Sequence, residues 1–311
     1  MPRSAVAAVI ILVLMAIFGI IKPGYLSVNS LTAMLRAMSY PGIIAVGVAL
    51  CLIGGTMDLS VGAVAGLSAT IAATLMTKET PVILALAAGI ASGAIIGYVN
   101  SVLILKLKLT TFIATIGTMF MVRGIVYWIS KGYYVYPLPD VIARTGAAKP
   151  LGISWSFIFF IVLLIIFQYL LSRTVWGLCV KATGSDREVA YNTTVEVDKI
   201  QKQLHVLSGT LAAVAGLFIM CKIGGGQPTI GQGVELTVIA GCTIGGVSLF
   251  GFQGSMTAVF LGLLFLQVII AGVITSGVDP FLQPTVQGII LIAAMVFDAR
   301  ESTQIFFRRT V

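Results

Sequence analysis

The sequence predicts an all-α membrane protein: a polytopic bundle of about ten helical spans, both termini cytoplasmic, with a weak internal repeat. Three observations carry this. Hydrophobic residues make up 58% of 311 positions and charged residues only 10%, with a mean hydropathy of +1.07, where soluble domains carry about 25% charge. Apolar runs near the roughly 20 residues that cross a bilayer recur along the whole chain. Lys and Arg fall unevenly between those runs, so the net charge of +8 is an orientation signal and not the footprint of nucleic-acid binding.

Residues 5–21 follow Arg3 and have the length of a signal peptide, but no small-residue cleavage site precedes Lys22-Pro23-Gly24, which predicts an uncleaved first span. Leu31, Met34, Leu35 and Met38 then recur at helical spacing with Arg36 opposite, predicting a short helix lying at the outer interface. The next spans are 41–53, 59–76, 81–105 and 111–129. Residues 131–150, with Tyr133, Tyr134, Tyr136 and several prolines, read as an external loop whose tyrosines suit the headgroup level or a docking surface. A span at 153–171 leads to the long polar stretch 173–203, which holds nine of the chain's 19 basic and 11 acidic side chains. Spans at 204–221, 236–250, 256–273 and 282–297 complete the series. With an even number of crossings, eleven Lys and Arg fall on the side of the termini against seven opposite, which puts the polar stretch in the cytoplasm.

Within that stretch Gly184-Ser185-Asp186 reads as a turn into a helix start, where Ser185 or Asp186 can cap free N–H groups, and 187–191 can form a short amphipathic helix. It is a handle for a soluble partner or a solvated connector. Gly62 and Gly66, then Gly89, Gly93 and Gly97, then Ser208, Ala212 and Gly216 repeat small residues every fourth position, letting helix backbones approach in lipid. Cys51, Cys179, Cys221 and Cys242 lack zinc or redox spacing, and His205 has no second His or nearby carboxylate in sequence, so no metal or other cofactor is expected. A glycine pair followed by a polar residue and Leu occurs twice, at Gly54-Gly55-Thr56-Met57-Asp58-Leu59 and Gly245-Gly246-Val247-Ser248-Leu249. Corresponding glycine-interrupted segments mark the pathway in repeat-built transporters, here as a parallel repeat.

Four motifs in order, Gly55-Thr56-Met57-Asp58-Leu59-Ser60-Val61-Gly62, 113–119 with Arg123-Gly124, 207–213, and Gln227-Pro228-Thr229 through 245–249, resemble the membrane permease subunits of ribose-type sugar ABC importers over about 41–297. The resemblance implies a non-catalytic conduit in the bacterial inner membrane: two permease copies, identical or paralogous, joined to ABC ATPase subunits and fed by an extracytoplasmic sugar-binding protein. It places the ATPase-coupling helix at 184–198, with Gly184, Glu188, Ala190, Tyr191 and Asn192 as coupling residues. Thr56, Thr194-Val195 and Thr237 depart from the family's usual Gly, Gly-Ile and Asp; the last leaves the substrate class open.

Candidate pathway and gate residues are Asp58, Ser60, Asn100, Gln227, Glu235, Gly245, Gly246 and Ser248. Asp58 reads as an N-cap accepting from Ser60 or Val61 and as a polar lining group near the inner gate. Arg123, two-thirds outward along its span, would snorkel to the outer headgroups or pair with Glu235 at the outer start of the eighth span. Asn100, Gln227 and Thr229 offer hydrogen bonds to a hydroxylated substrate or simply to neighbouring helices. The chain has no Gly-x-x-x-x-Gly-Lys-Ser/Thr phosphate loop, so ATP would be hydrolysed elsewhere. An ion-coupled secondary transporter of a small polar solute is the alternative, with Asp58 and Glu235 as its only carboxylate candidates.

Overall fold

A computed structural model describes residues 3–148 and 150–277, together with positions 279, 282, 285, 288, 289 and 292. The expected span at 282–297 and the terminal Arg300, Arg308 and Arg309 lie largely or wholly outside the described residues. Described residues are helical and form no strand: α1 (Arg3–Ile21), α2 (Val28–Ile53), α3 (Val61–Met76), α4 (Val82–Leu105), α5 (Thr111–Ser130), α6 (Asp140–Ala147), α7 (Trp155–Arg173), α8 (Val175–Ser185), α9 (Arg187–Tyr191), α10 (Val197–Ile223), α11 (Val234–Gly245) and α12 (Met256–Thr275). Six of them, α2, α4, α5, α7, α10 and α12, are long and apolar enough to cross a membrane, and three shorter apolar helices accompany them.

Helix α2 is the axis of the bundle. The apolar window of α2 is 83% buried against 28% for α5, so α2 is enclosed by protein while α5 presents most of its surface outward. The helix also corrects two expectations at once, because 28–39 is not a separate interfacial helix but nearly the first half of α2, continuous through Pro41, so the span does not start at 41. Proline removes one N–H, and membrane helices tolerate this when neighbouring side chains re-satisfy the backbone. The N–H lost at Pro41 would have met the Ala37 carbonyl; one residue earlier the Ser39 hydroxyl donates to the Arg36 carbonyl at 2.6 Å and lies 2.7 Å from Ser156 Oγ, tying this part of α2 to α7.

Close backbone approach joins α4 and α10. A Cβ on Gly93 would run into the Gly209 carbonyl, one on Gly209 into the Gly93 carbonyl, and one on Gly97 into the His205 carbonyl. In lipid, where burying apolar side chains gives little drive, such approach is what holds helices together. The expected external loop contains α6, with Ile142 buried and Gly146 set against the Cys221 carbonyl at the end of α10. Beside it Val135 and Gly226 exchange N–H···O bonds of 2.8 and 3.0 Å, and the Tyr134 hydroxyl donates to the Ile223 carbonyl at 2.6 Å.

Candidate translocation site

The eighth span is not a full crossing. Helix α11 has only 12 residues, about 18 Å at 1.5 Å per residue against a hydrocarbon core of about 30 Å. The missing depth is supplied by non-helical backbone, residues 224–233, running alongside α3. Gly226 packs at Ala69, Thr70 and Ala73, the Ile230 carbonyl faces Gly66, and Gly231 and Glu235 crowd Gly62. Those contacts step along α3 by roughly 15 Å. Glu235 therefore starts α11 inside the bundle, beside the first turn of α3, and not at the outer surface as the sequence suggested.

Irregular backbone at membrane depth must find donors within the protein. Arg123 on α5 supplies them: one guanidinium nitrogen, Nη1, donates to the carbonyls of Pro228 at 3.0 Å and Ile230 at 2.9 Å. This corrects both sequence readings of Arg123. It neither snorkels nor closes an ion pair with Glu235, which lies within electrostatic range but has its Oε2 buried without a hydrogen-bond partner. Gly66 leaves room for the guanidinium, since a Cβ there would sit 3.0 Å from Nη1. The Gly62/Gly66 pair thus seats the descending segment, where helix-on-helix packing was expected. Gln227 and Thr229 are exposed near its start, beside the end of α10.

Below this lies a buried polar cluster. Asp58, in the break between α2 and α3, is fully buried. Its Oδ1 accepts the Ser60 N–H at 3.0 Å, the Ser60 hydroxyl at 2.6 Å and, more weakly, the Asn100 amide at 3.4 Å; Oδ2 accepts the Ser208 hydroxyl at 2.8 Å. Asn100 Nδ2 also donates to Ser60 Oγ at 2.9 Å, while its Oδ1 has no partner. Asp58 therefore does receive the Ser60 N–H as a cap would, and it ties α4 and α10 to the start of α3 as well. Beside it Thr56 Oγ1 and His205 Nε2 share a hydrogen bond of 2.9 Å, so Thr56, a departure from the glycine of the resembled family, partners the histidine. Among the described residues no three His, Cys, Asp or Glu side chains gather to hold a metal.

The structure thus brings Asp58, Ser60 and Asn100 together and adds Ser208, His205 and Thr56, which the sequence reading left out. Gln201, His205 and Ser208 share one α10 face at i, i+4 and i+7, all buried; that polar stripe on an apolar span was the available signal.

Gly245, Gly246 and Ser248 lie elsewhere, at the far end of α11. Gly245 packs on the Ala258 carbonyl, and Gly246 takes φ 103° to end the helix. The two glycine-paired breaks meet at this end: the Phe252 N–H donates to the Ile53 carbonyl at 2.9 Å. Gly184, at the end of α8, is wedged between them, its would-be Cβ against the Ile53 carbonyl and 2.9 Å from Phe252 N, while a Cβ on Gly251 would strike the Gly184 carbonyl. From there the chain enters α9, whose first turn is capped by Asp186, accepting from Glu188 N–H at 2.9 Å and Val189 N–H at 3.0 Å. Glu188, Tyr191 and Asn192 are exposed, but Ala190 is 4% exposed and faces its own chain. The outward apolar side chains of α9 are Val189 at 60% and Tyr191 at 69%.

The family model described as "Branched-chain amino acid transport system / permease component" matches residues 30–295. The chain is 32% identical to the L-arabinose ABC transporter permease protein AraH of Azospirillum brasilense over 97% of its own length and 89% of the relative's. It is 30% identical to the ribose import permease protein RbsC of Escherichia coli K12, over 94% and 92% of the two chains. The autoinducer 2 import system permease protein LsrC of Salmonella typhi is 29% identical over 96% and 86%. No solved structure matches the chain.

Proposed function

The chain belongs to the family of branched-chain amino acid transport system permease components, and from that premise we propose that it forms the pathway of an ATP-driven importer for a monosaccharide or similar small polar solute. It is a multi-pass, non-catalytic membrane subunit, with ATP hydrolysed by a separate partner. The proposal extends to ten spans, cytoplasmic termini, a cytoplasmic 173–203 loop and placement in the bacterial inner membrane. Two permease copies, identical or paralogous, would sit in the lipid, take solute from an extracytoplasmic sugar-binding protein and bind two ABC ATPase subunits through α9.

The observation that carries this reading is the interrupted eighth span. A helix beginning inside the bundle, fed by backbone pinned by Arg123 and followed by a glycine break touching Gly184, gives a pathway element with a direct contact to the ATPase-facing loop. Movement of α9 on an ATPase would then reach the Asp58 cluster through Gly184 and the Ile53–Gly55 segment. Glu235, Gln227, Gly245, Gly246 and Ser248 belong to the moving element, and Asp58, Ser60 and Asn100 to the part it moves against. Proteoliposomes holding the permease, its ATPase and the binding protein should take up a radiolabelled pentose only with ATP inside. Accumulation against a gradient by the permease alone would refute this and favour the ion-coupled alternative.

A further inference from the structure

Helix α7 carries a stripe that the bundle covers only in part: Ile165, Tyr169, Ser172 and Arg173 are exposed beside the half-buried Ile161 and Gln168 and the buried Leu164. Ile161, Leu164, Ile165, Gln168, Tyr169, Ser172 and Arg173 follow helical spacing and line one wall of an open groove of about 490 Å³, closed on the other side by Met256, Thr257 and Phe260 of α12. The stripe covers about 18 Å of helix, close to the roughly 15 Å depth of one leaflet's hydrocarbon plus its headgroup edge. Its composition is graded along that length. The deep end is aliphatic, and the shallow end carries the Arg173 guanidinium and the Tyr169 phenol, both exposed and without a hydrogen-bond or ion-pair partner among the described residues. Gln168 is spent, its Oε1 accepting the Met256 N–H at 2.8 Å. The Ser172 hydroxyl already donates to the Gln168 carbonyl at 2.7 Å.

We propose that this groove binds one anionic phospholipid of the cytoplasmic leaflet, its phosphate on Arg173 and Tyr169 and an acyl chain along Ile161, Leu164, Ile165 and Phe260. An acyl chain gains little by leaving other acyl chains for an apolar groove, because lipid tails are as apolar as Leu. Selectivity must therefore come from the headgroup: the guanidinium can hold any lipid phosphate through two parallel hydrogen bonds, but in phosphatidylcholine the choline cation already offsets that phosphate, so Arg173 prefers a headgroup with net negative charge. A single basic residue near an anionic surface gives about a fivefold preference. The leaflet assignment rests on the cytoplasmic placement of the 173–203 loop proposed above.

The test is native mass spectrometry of the full chain, purified with equal amounts of phosphatidylglycerol and phosphatidylcholine of identical acyl chains. The parent should retain phosphatidylglycerol about fivefold over phosphatidylcholine. Arg173→Gln should bring the ratio to near one, Arg173→Lys should keep part of it, and Ile165→Trp should lower retention of both lipids by filling the deep end. Equal retention by the parent, or a preference unchanged in Arg173→Gln, would overturn the proposal; so would a second copy of the chain occupying the groove in a crosslinked sample. Sidedness is read separately by labelling Ser185→Cys above the parent background in sealed vesicles. Labelling only from outside overturns the leaflet assignment and the importer topology together. A lost lipid preference with Ser185→Cys labelled from inside overturns the groove alone.

Discussion

Exchanging Asp58 for Asn or for Ala separates capping from other roles by an amount the hydrogen bonds set. In Asp58→Asn the amide oxygen can take the place of Oδ1 and keep the Ser60 N–H, Ser60 hydroxyl and Asn100 contacts. Its NH₂ then meets Ser208 Oγ, whose hydroxyl can rotate to accept. What is lost is charge assistance, about 1 kcal/mol per strong bond, partly offset because a charge no longer has to be kept out of water. The expected net cost is about 1–2 kcal/mol. Asp58→Ala leaves the Ser60 N–H, the Ser60 hydroxyl and the Ser208 hydroxyl without their acceptor in a dry site, while Asn100 keeps Ser60 Oγ, at about 1–3 kcal/mol for each buried group that finds no substitute, so about 3–5 kcal/mol together. Thermal unfolding of the full chain in nanodiscs should show a Tm drop about three times larger for Asp58→Ala than for Asp58→Asn, and Asp58→Asn should retain most ATP-driven uptake. Equal drops would refute the hydrogen-bond accounting. An unshifted Tm with abolished uptake would show instead that the charge itself acts in transport.

Gly184→Ala puts a methyl group into the Ile53 carbonyl and should lower uptake by at least tenfold while ATPase subunits still co-purify, read by parallel uptake and pull-down. On α9, Val189→Asp should release the ATPase partner with little change in Tm, whereas Ala190→Asp should destabilise the chain itself by about 2–4 kcal/mol, because that side chain is buried against its own bundle. Arg123→Met strips the donors from the Pro228 and Ile230 carbonyls and should cost about 2–4 kcal/mol in stability, with Arg123→Lys recovering about half, both read as Tm shifts.

Hydropathy alone located the six long apolar helices, because each needs only a run of the right length. Where one began was harder to read. Pro41 suggested a helix start, yet the helix runs through it, held there by the Ser39–Ser156 bond to α7, so α2 begins at Val28. The eighth span was placed on the outer side because apolarity reports composition and not depth. Only the contacts of Gly62, Gly66 and Gly226 with the 226–235 segment show how far in α11 begins. Asp58 stood out as an acid beside an apolar run, but its partner Ser208 is 150 positions away and His205 is 149 positions from Thr56. A polar residue in lipid announces that it needs a partner. Which partner it finds depends on helix packing that one sequence does not specify.

The mutual embedding of Gly93 and Gly209 fixes how this molecule can deform. With each backbone seated against the other's carbonyl and no side chains between them to re-sort, α4 and α10 cannot slide past one another by small rotamer changes. They must travel as a single rigid slab carrying Asn100, His205 and Ser208 with it. Alternation between outward and inward openings then has to be absorbed at the hinges flanking that slab, the glycine breaks at 54–60 and 246–255, so the bond between Ser208 and Asp58 across the first of them is the latch that such a motion strains first.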